Sequence, residues 1–272
     1  KPLGEQIVAD APITLPTATA EYKGEPMRIR DKDTGEMRKL NASEREYIAR
    51  MGHAEAGYQT ALGLQGTIEN FVSRVNSSHY PDDIPGVMEQ KTGKTYAYSP
   101  MYYGTVPDYN DIPEARRAET DRIIDGLEAG TIPPITNGGT FFINPKATDS
   151  ARNKREHANN GPIIKIEQHT FAGNDALIDL RNRLRNEGVG NPAEHPEFIA
   201  LQQRQAKEAE TNYRLAYDQR YGEGAYDLQF GEAAKQPSAI DRTLESISEY
   251  LNPILVKEGR QAFKSFQFFY TF

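Results

Sequence analysis

Glu55 is an acid at a position where the helical pattern calls for an apolar side chain. Residues 41–57 have the spacing of a short helix, and the apolar residues Ile48 and Met51 lie seven and four positions before Glu55. We therefore predict that Glu55 points inward. A carboxyl group partly removed from water has a raised pKa, because desolvation disfavours its charged form. Such a group holds a proton near neutral pH and can donate it, as a general acid does.

Two other roles for Glu55 remain open at this point. The carboxylate could cap the next helix or pair with an arginine, which would make it structural. It could also bind zinc with His53 and His169, as in a metal-dependent amidase. Side chains two residues apart on a regular helix differ in direction by about 160°, so His53 and Glu55 are not expected to share an ion. The other histidines lie in no motif and are predicted at the surface: His79, His157 and His195.

Helices are predicted on both sides of Glu55 in the sequence. Ser43 and Glu46 form a capping-box pattern that predicts the start of the first helix, and Gly57 predicts its end. Apolar residues three and four positions apart predict a second helix over 60–76 and a third over 112–129. These helices would supply most of the core around the acid.

A small antiparallel sheet is predicted beside the helices. Residues 138–145 read as one strand and residues 163–171 as its partner, with a polar loop over 146–161 between them. Residues 79–111 form a long loop rich in Pro, Gly and Tyr, and loops of this length inside a domain are usually functional. The predicted fold class is α+β.

The composition excludes several classes of protein. The 272 residues carry a formal net charge of -7 with basic and acidic residues interspersed, which disfavours nucleic-acid binding. The chain has no cysteine, so disulfides, thiolate metal sites and a cysteine nucleophile are excluded. No apolar run approaches the roughly 18 residues that span a bilayer. The mean hydropathy of -0.72 is low for a compact domain and indicates surfaces that lie against a partner.

Several short motifs resemble those of the SleB-like cell-wall hydrolases. The run Glu55-Ala56-Gly57-Tyr58-Gln59, then Gly63, then Ser73-Arg74-Val75 is similar to that family's Glu-Ala-x-Gly-Glu, Gly and Asn-Arg-Val at the same offsets. Further matches follow in the family's order over about 41–173: Tyr80-Pro81, Ile84, Gly86-Val87, Tyr98-Ser99, Gly126, Gly139-Thr140-Phe141-Phe142, Asn144-Pro145 and His169-Thr170-Phe171. The order and spacing together carry the resemblance, since each motif is short.

The resemblance implies a lysozyme-like domain that cleaves peptidoglycan, with Glu55 as the catalytic acid. It also implies a lytic transglycosylase reaction, in which the C6 hydroxyl of N-acetylmuramic acid attacks its own anomeric carbon and no second carboxylate, metal or cofactor is needed. If the reaction were hydrolytic instead, a second carboxylate would be required, and Glu69 or Asp82 would be the first to test.

Six residues are assigned to substrate binding. Three tyrosines of the long loop could stack on sugar faces, and three residues lie in the family's two closing motifs: Tyr98, Tyr102, Tyr103, Gly139, Thr140 and His169. His169 also shares a strand face with Ile163 and Phe171, which is typical of a packed histidine.

The sequence departs from the family pattern at several positions. Gln59 stands where the family commonly has a second Glu, Ser73 replaces its Asn, residues 167–168 replace its Gly-Asn, and tryptophan is absent. A degenerate, non-catalytic domain in a structural subunit of a larger assembly is therefore the alternative function.

The chain divides in the sequence into three predicted units. Residues 1–40 read as an N-terminal arm, residues 41–173 as the hydrolase domain, which should fold alone, and residues 174–272 as a helical region for docking or self-association. Its thin apolar stripes and the aromatic segment 263–272 favour contacts with other copies or other proteins. This organisation fits a bacteriophage virion component that opens the host wall during genome entry; a secreted or periplasmic enzyme is the alternative.

Overall fold

The structure is a computed structural model that describes residues 22–93, 95–147 and 151–234. Its helices are α1 (Ala42–Ala56), α2 (Ala61–Asn76), α3 (Ile84–Met88), α4 (Ser99–Tyr103), α5 (Glu114–Ala129), α6 (Ala151–Asn159), α7 (Asp175–Asn186), α8 (Pro196–Tyr221) and α9 (Ala225–Ala234). Its strands are β1 (Ile29–Arg30), β2 (Met37–Arg38), β3 (Lys91–Thr92), β4 (Thr95–Tyr96), β5 (Phe141–Ile143), β6 (Pro162–Ile166) and β7 (His169–Ala172). The α+β class is confirmed, and none of the described helices is long and apolar enough to cross a bilayer.

The start of α1 is fixed by Asn41 instead of the predicted Ser43. The Asn41 side chain accepts a hydrogen bond from the backbone N–H of Glu44, and the Glu44 carboxylate accepts one from the backbone N–H of Asn41. This is a capping box displaced by two residues. The predicted end at Gly57 is confirmed, and so is a second helix that begins after Thr60.

The first hydrophobic core lies between α1, α2, α3 and α5, and the N-terminal hairpin packs onto it. Ile29 of β1 and Leu40 are buried in this core. The backbone N–H of Leu40 donates to the Glu128 carboxylate of α5 at 2.8 Å. Within the described residues, the chain before residue 40 is therefore part of the domain, and its prediction as an arm is wrong there.

The sheet has three strands in the order β5-β7-β6, all antiparallel. The predicted strand over 163–171 is in fact the hairpin β6–β7, with a turn at Glu167, whose φ is +51°. Its apolar residues continue on both sides of the turn, which hides the reversal in a hydropathy pattern.

The predicted polar loop over 146–161 contains α6. This helix is almost entirely polar, so it lacks the apolar period that reveals a helix. His157, predicted at the surface, is buried on its inner side, where Nε2 lies 2.8 Å from the carbonyl oxygen of Thr170. Burial lowers the pKa of His157 to about 4, so the ring is neutral at neutral pH.

A second core joins the sheet to α7 and α8. Leu177 and Leu184 of α7 and Phe198 of α8 pack with Ile163 and Phe171 of the sheet. The apolar stripe of α7 therefore faces this chain's own sheet and does not bind another copy. The boundary predicted at residue 173 cuts through this core and is wrong. The aromatic segment 263–272 lies outside the described residues.

Candidate active site

Glu55 lies in the last turn of α1 and is partly exposed. Burial raises the pKa of Glu55 from 4.5 to about 7, while the positive charge of Arg74 and a hydrogen bond from the backbone N–H of Ser99 act in the opposite direction. Ser99 begins α4, so the first N–H group of that short helix meets the acid. The inward orientation predicted from the spacing is thus matched by a carboxyl that is half-protonated near neutral pH.

Arg74 is the positive charge that acts on Glu55, and it is 7% exposed. Its guanidinium carbon lies 4.8 Å from the ring centre of Tyr98, 5.1 Å from that of Tyr80 and 6.0 Å from that of Phe141. Cations are attracted to aromatic ring faces at these distances. The three rings and the helix α2 fix the position of the guanidinium, whose positive charge acts on Glu55.

Gly139 and Thr140 position α2 and are buried. The carbonyl oxygen of Gly139 accepts from the Asn70 side chain at 2.9 Å, and that of Thr140 accepts from Nε of Arg74 at 2.6 Å. The N–H and hydroxyl of Thr140 both donate to the carbonyl oxygen of Gly173. Both residues are buried and these groups are bonded within the protein, so Gly139 and Thr140 support α2, and a contact of theirs with substrate stays a prediction.

Tyr98 is likewise a packing residue. It is 1% exposed, its ring meets Phe71 edge-on at 5.2 Å, and its hydroxyl donates to the Asn70 side chain at 3.1 Å. Arg74 covers a face of the ring. No ring face is left for a sugar, so Tyr98 supports the site from behind.

Three exposed tyrosines lie on or next to the helices that carry Glu55 and Ser99. Tyr102 and Tyr103 of α4 are 60% and 71% exposed and form an edge-on pair at 5.1 Å. Tyr58, which lies within the motif of residues 55–59 but has no predicted role there, is 101% exposed. Gly57 keeps helical backbone angles after α1, so Tyr58 lies three residues after Glu55 on a continuing helical turn. Its exposure alone indicates a role in substrate binding, since the motif assigns none to this position.

His169 is buried on β7 next to the Gln59 side chain. Its Nδ1 lies 3.1 Å from Nε2 of Gln59, and its ring centre lies 4.7 Å from that of Phe142. Burial lowers the pKa of His169 to about 4, which keeps the ring neutral. Gln59, the departure from the family's second Glu, therefore donates a hydrogen bond that an ionised Glu could not. The assignment of His169 to substrate binding stays a prediction.

His53 and His169 are the histidines of the alternative metal site. None of the His, Asp and Glu side chains of the described residues forms a group of three or more that could hold an ion. Nδ1 of His53 is buried without a hydrogen-bond partner among these residues. Burial lowers the pKa of His53, and the positive charge of Arg116 lowers it further.

Glu69 is a structural acid. It is fully buried and accepts hydrogen bonds from the Gln65 side chain, from the backbone N–H groups of Ile135 and Thr136, and from the Thr136 hydroxyl. It thereby holds the segment before β5 against α2, and all of its bonds are to protein groups. Asp82 is exposed.

No protein-family model and no curated protein matches the sequence. Among solved structures, the catalytic domain of the germination-specific lytic transglycosylase SleB from Bacillus anthracis matches with 19% identity and a TM-score of 0.39, over 49% of this chain and 96% of that one. The catalytic domain of the Bacillus cereus SleB protein matches with 19% identity and a TM-score of 0.38, over 49% and 91%. The chain is similar to these SleB catalytic domains at that low identity, and its α+β class rests on its own helices and sheet.

The raised pKa of Glu55 predicts a pH-dependent stability. Because the folded-state pKa of about 7 lies above 4.5, the folded protein binds the proton more tightly, so stability is lost as the pH rises through this range. Glu55→Gln lacks the titrating group. As the pH rises from 5 to 8, its free energy of unfolding should therefore increase by about 2–3 kcal/mol relative to that of the wild type. Urea unfolding at both pH values measures the gain.

The exposed Glu46 of the same helix provides the matched control for this experiment. Glu46→Gln should show a pH dependence equal to that of the wild type. If Glu55→Gln also followed the wild type within about 0.5 kcal/mol, the carboxyl of Glu55 would have an ordinary pKa in the folded protein.

Proposed function

We propose that this protein cleaves the glycosidic bond between N-acetylmuramic acid and N-acetylglucosamine in peptidoglycan, with Glu55 as the acid. The observation that carries the proposal is a single partly exposed carboxyl group whose pKa is raised to about 7. A glycosidase acid needs such a pKa, because it must hold its proton at the working pH and release it to the leaving oxygen.

The number of carboxylates favours a lytic transglycosylase over a hydrolase. A hydrolytic glycosidase uses two carboxyl groups on opposite sides of the scissile bond. Of the two candidates for a second carboxylate, Glu69 is buried and bonded to protein groups, and Asp82 is exposed. A nucleophile supplied by the substrate itself removes the need for the second group.

The proposed reaction has two proton transfers through one residue. Glu55 gives its proton to the glycosidic oxygen as the bond from that oxygen to the anomeric carbon of N-acetylmuramic acid breaks. The resulting carboxylate then takes the proton of the C6 hydroxyl, whose oxygen bonds to the same anomeric carbon and closes a 1,6-anhydro ring. Glu55 ends protonated again, and no water is consumed.

The exposed tyrosines are suited to hold the glycan next to Glu55. Tyr102 and Tyr103 lie on the five-residue helix whose first N–H binds the acid, about 5 Å of helix rise from Ser99. Tyr58 follows Glu55 by three residues. Exposed aromatic rings stack on the apolar faces of sugars, so these side chains are the proposed substrate contacts.

Product analysis tests the proposed chemistry. Incubation with purified peptidoglycan should give muropeptides that end in 1,6-anhydro-N-acetylmuramic acid, lighter by one water than hydrolytic products and without a reducing end. Mass spectrometry before and after borohydride reduction distinguishes the two, since only a reducing end gains two hydrogens.

Each other outcome selects a different function. Reducing-end muropeptides as the main product would require a second carboxylate and reject the transglycosylase route. Release of peptides from intact glycan would indicate an amidase. No cleavage by a folded protein would support the non-catalytic structural subunit.

We further propose that the protein acts in a bacteriophage virion. Support comes from the organisation of the chain, in which the polar helix α8 and the exposed Leu228 of α9 follow the site-bearing part. Leu228 is a candidate contact for another virion protein. Detection of the chain in purified particles, as opposed to the medium or the periplasm, tests this assignment.

A further inference from the structure

Arg74 is a buried cation with an unused hydrogen-bond donor. Its Nε donates to the carbonyl oxygen of Thr140, but its Nη1 is buried and has no hydrogen-bond partner among the described residues. A buried donor without a partner costs free energy comparable to a lost hydrogen bond, so it is rarely left unused. In the proposed reaction a negative charge forms on Glu55, and such a charge is a partner for the unused donor of Arg74.

The surroundings of Arg74 fix its position. Tyr98, Tyr80 and Phe141 line the guanidinium, and Asn70, one helical turn earlier on α2, is bonded to both Tyr98 and Gly139. An arginine side chain otherwise has high conformational freedom, which this cage removes. The charge is therefore in place before any reaction begins.

We propose that Arg74 is the positioning residue for Glu55, and that its guanidinium holds and stabilises the carboxylate that Glu55 becomes when it gives up its proton. This inference rests on the proposed role of Glu55 as proton donor. The other groups that face Glu55 are the Ser99 N–H from α4 and the Tyr98 side chain that precedes it. Of the groups that act on Glu55, Arg74 is the one that carries a charge.

The consequence is a balance between the two roles of Glu55. Burial alone raises the pKa of Glu55 and makes it a weaker acid, which gives its proton to the glycosidic oxygen less readily. A fixed positive charge lowers that pKa again, so that both protonation states are accessible near pH 7. Glu55 can then act as acid and afterwards as base.

Carboxyl NMR titration of Glu55 tests this role. Arg74→Gln removes the charge but keeps an N–H donor, and it should raise the pKa of Glu55 by about 1 or more. Arg74→Lys keeps the charge and should move that pKa by less than half as much. The alkaline limb of the pH profile of kcat/KM should shift by the same amount in each variant.

Arg45 of α1 provides the matched control. It is partly buried and ion-paired with Asp125 and Glu128, and it lies in the first turn of α1, about 15 Å of helix rise from Glu55. Arg45→Gln should leave the pKa of Glu55 unchanged. An unchanged pKa in folded Arg74→Gln would overturn the proposal.

A reciprocal measurement keeps the test valid if Arg74→Gln does not fold. In the wild type, the guanidinium ¹⁵N signals of Arg74 should titrate with the midpoint of Glu55, near pH 7, and in Glu55→Gln this step should be absent. Arg74 signals that stay constant across the range would refute the coupling. Both readouts are independent of activity, so coupling without any wall cleavage would retain the role of Arg74 and reject the proposed function.

Discussion

Glu55→Gln is expected to lower peptidoglycan cleavage by about 10³-fold or more while the protein stays folded. General acid catalysis contributes roughly 10²- to 10⁴-fold for each proton transfer, and Glu55 is proposed to carry out both transfers. Glutamine has nearly the same shape but no proton to donate at this site. Release of soluble anhydro-muropeptides, measured at several enzyme concentrations near pH 6, gives the ratio of rates.

The same control residue serves here as in the stability experiment. Glu46→Gln makes the identical chemical change at an exposed position nine residues earlier on α1, and it should retain the wild-type rate. Circular dichroism and the unfolding midpoint establish that Glu55→Gln is folded. Cleavage within tenfold of the wild type by folded Glu55→Gln would remove Glu55 from the mechanism.

Truncation after Gly173 is expected to abolish cooperative folding. The fragment 22–173 contains every residue assigned to the site but loses the α7 and α8 side chains that complete the second core: Leu177, Leu180, Leu184 and Phe198. Four such side chains contribute on the order of 8 kcal/mol through burial, which is comparable to the 5–15 kcal/mol stability of a whole domain. Thermal unfolding followed by circular dichroism, together with dye binding to exposed apolar surface, measures the loss.

The fragment 22–234 is the appropriate comparison, because both hydrophobic cores of the described structure lie within it. It should unfold cooperatively. In the full chain, Phe198→Ala should lower the free energy of unfolding by about 3–5 kcal/mol, whereas Leu228→Ala, at a side chain that is 89% exposed, should change it by less than about 0.5 kcal/mol. A cooperative transition of 22–173 near the wild-type temperature would restore the domain boundary at residue 173.

The sequence by itself determined which faces of the helices are buried. The spacing of Ile48, Met51 and Glu55 placed the acid toward the interior, and the structure gives it the raised pKa expected there. The stripe of Leu177, Leu180 and Leu184 is buried as its period predicts. Such patterns are local, because three- and four-residue spacing follows from helix geometry alone.

Only the tertiary structure decided what each buried face meets. Periodicity does not identify a partner. The thin stripe of α7 therefore predicts contacts with other molecules, whereas in the structure it packs on the sheet of its own chain. The polar helix α6 and the turn at Glu167 have no clear apolar period, so the sequence pattern does not predict them.

The chemistry of the site also depends on contacts that no local pattern contains. Arg74 comes from α2, Ser99 from α4, and the carbonyl of Thr140 from the edge of the sheet, yet together they set the surroundings of Glu55. Motif matching placed Tyr98, Gly139 and Thr140 near the site but could not tell support from substrate contact, because that distinction is one of exposure. Exposure is a property of the assembled fold, in which the buried ring of Tyr98 packs against the guanidinium of Arg74 and Tyr58 is exposed to solvent.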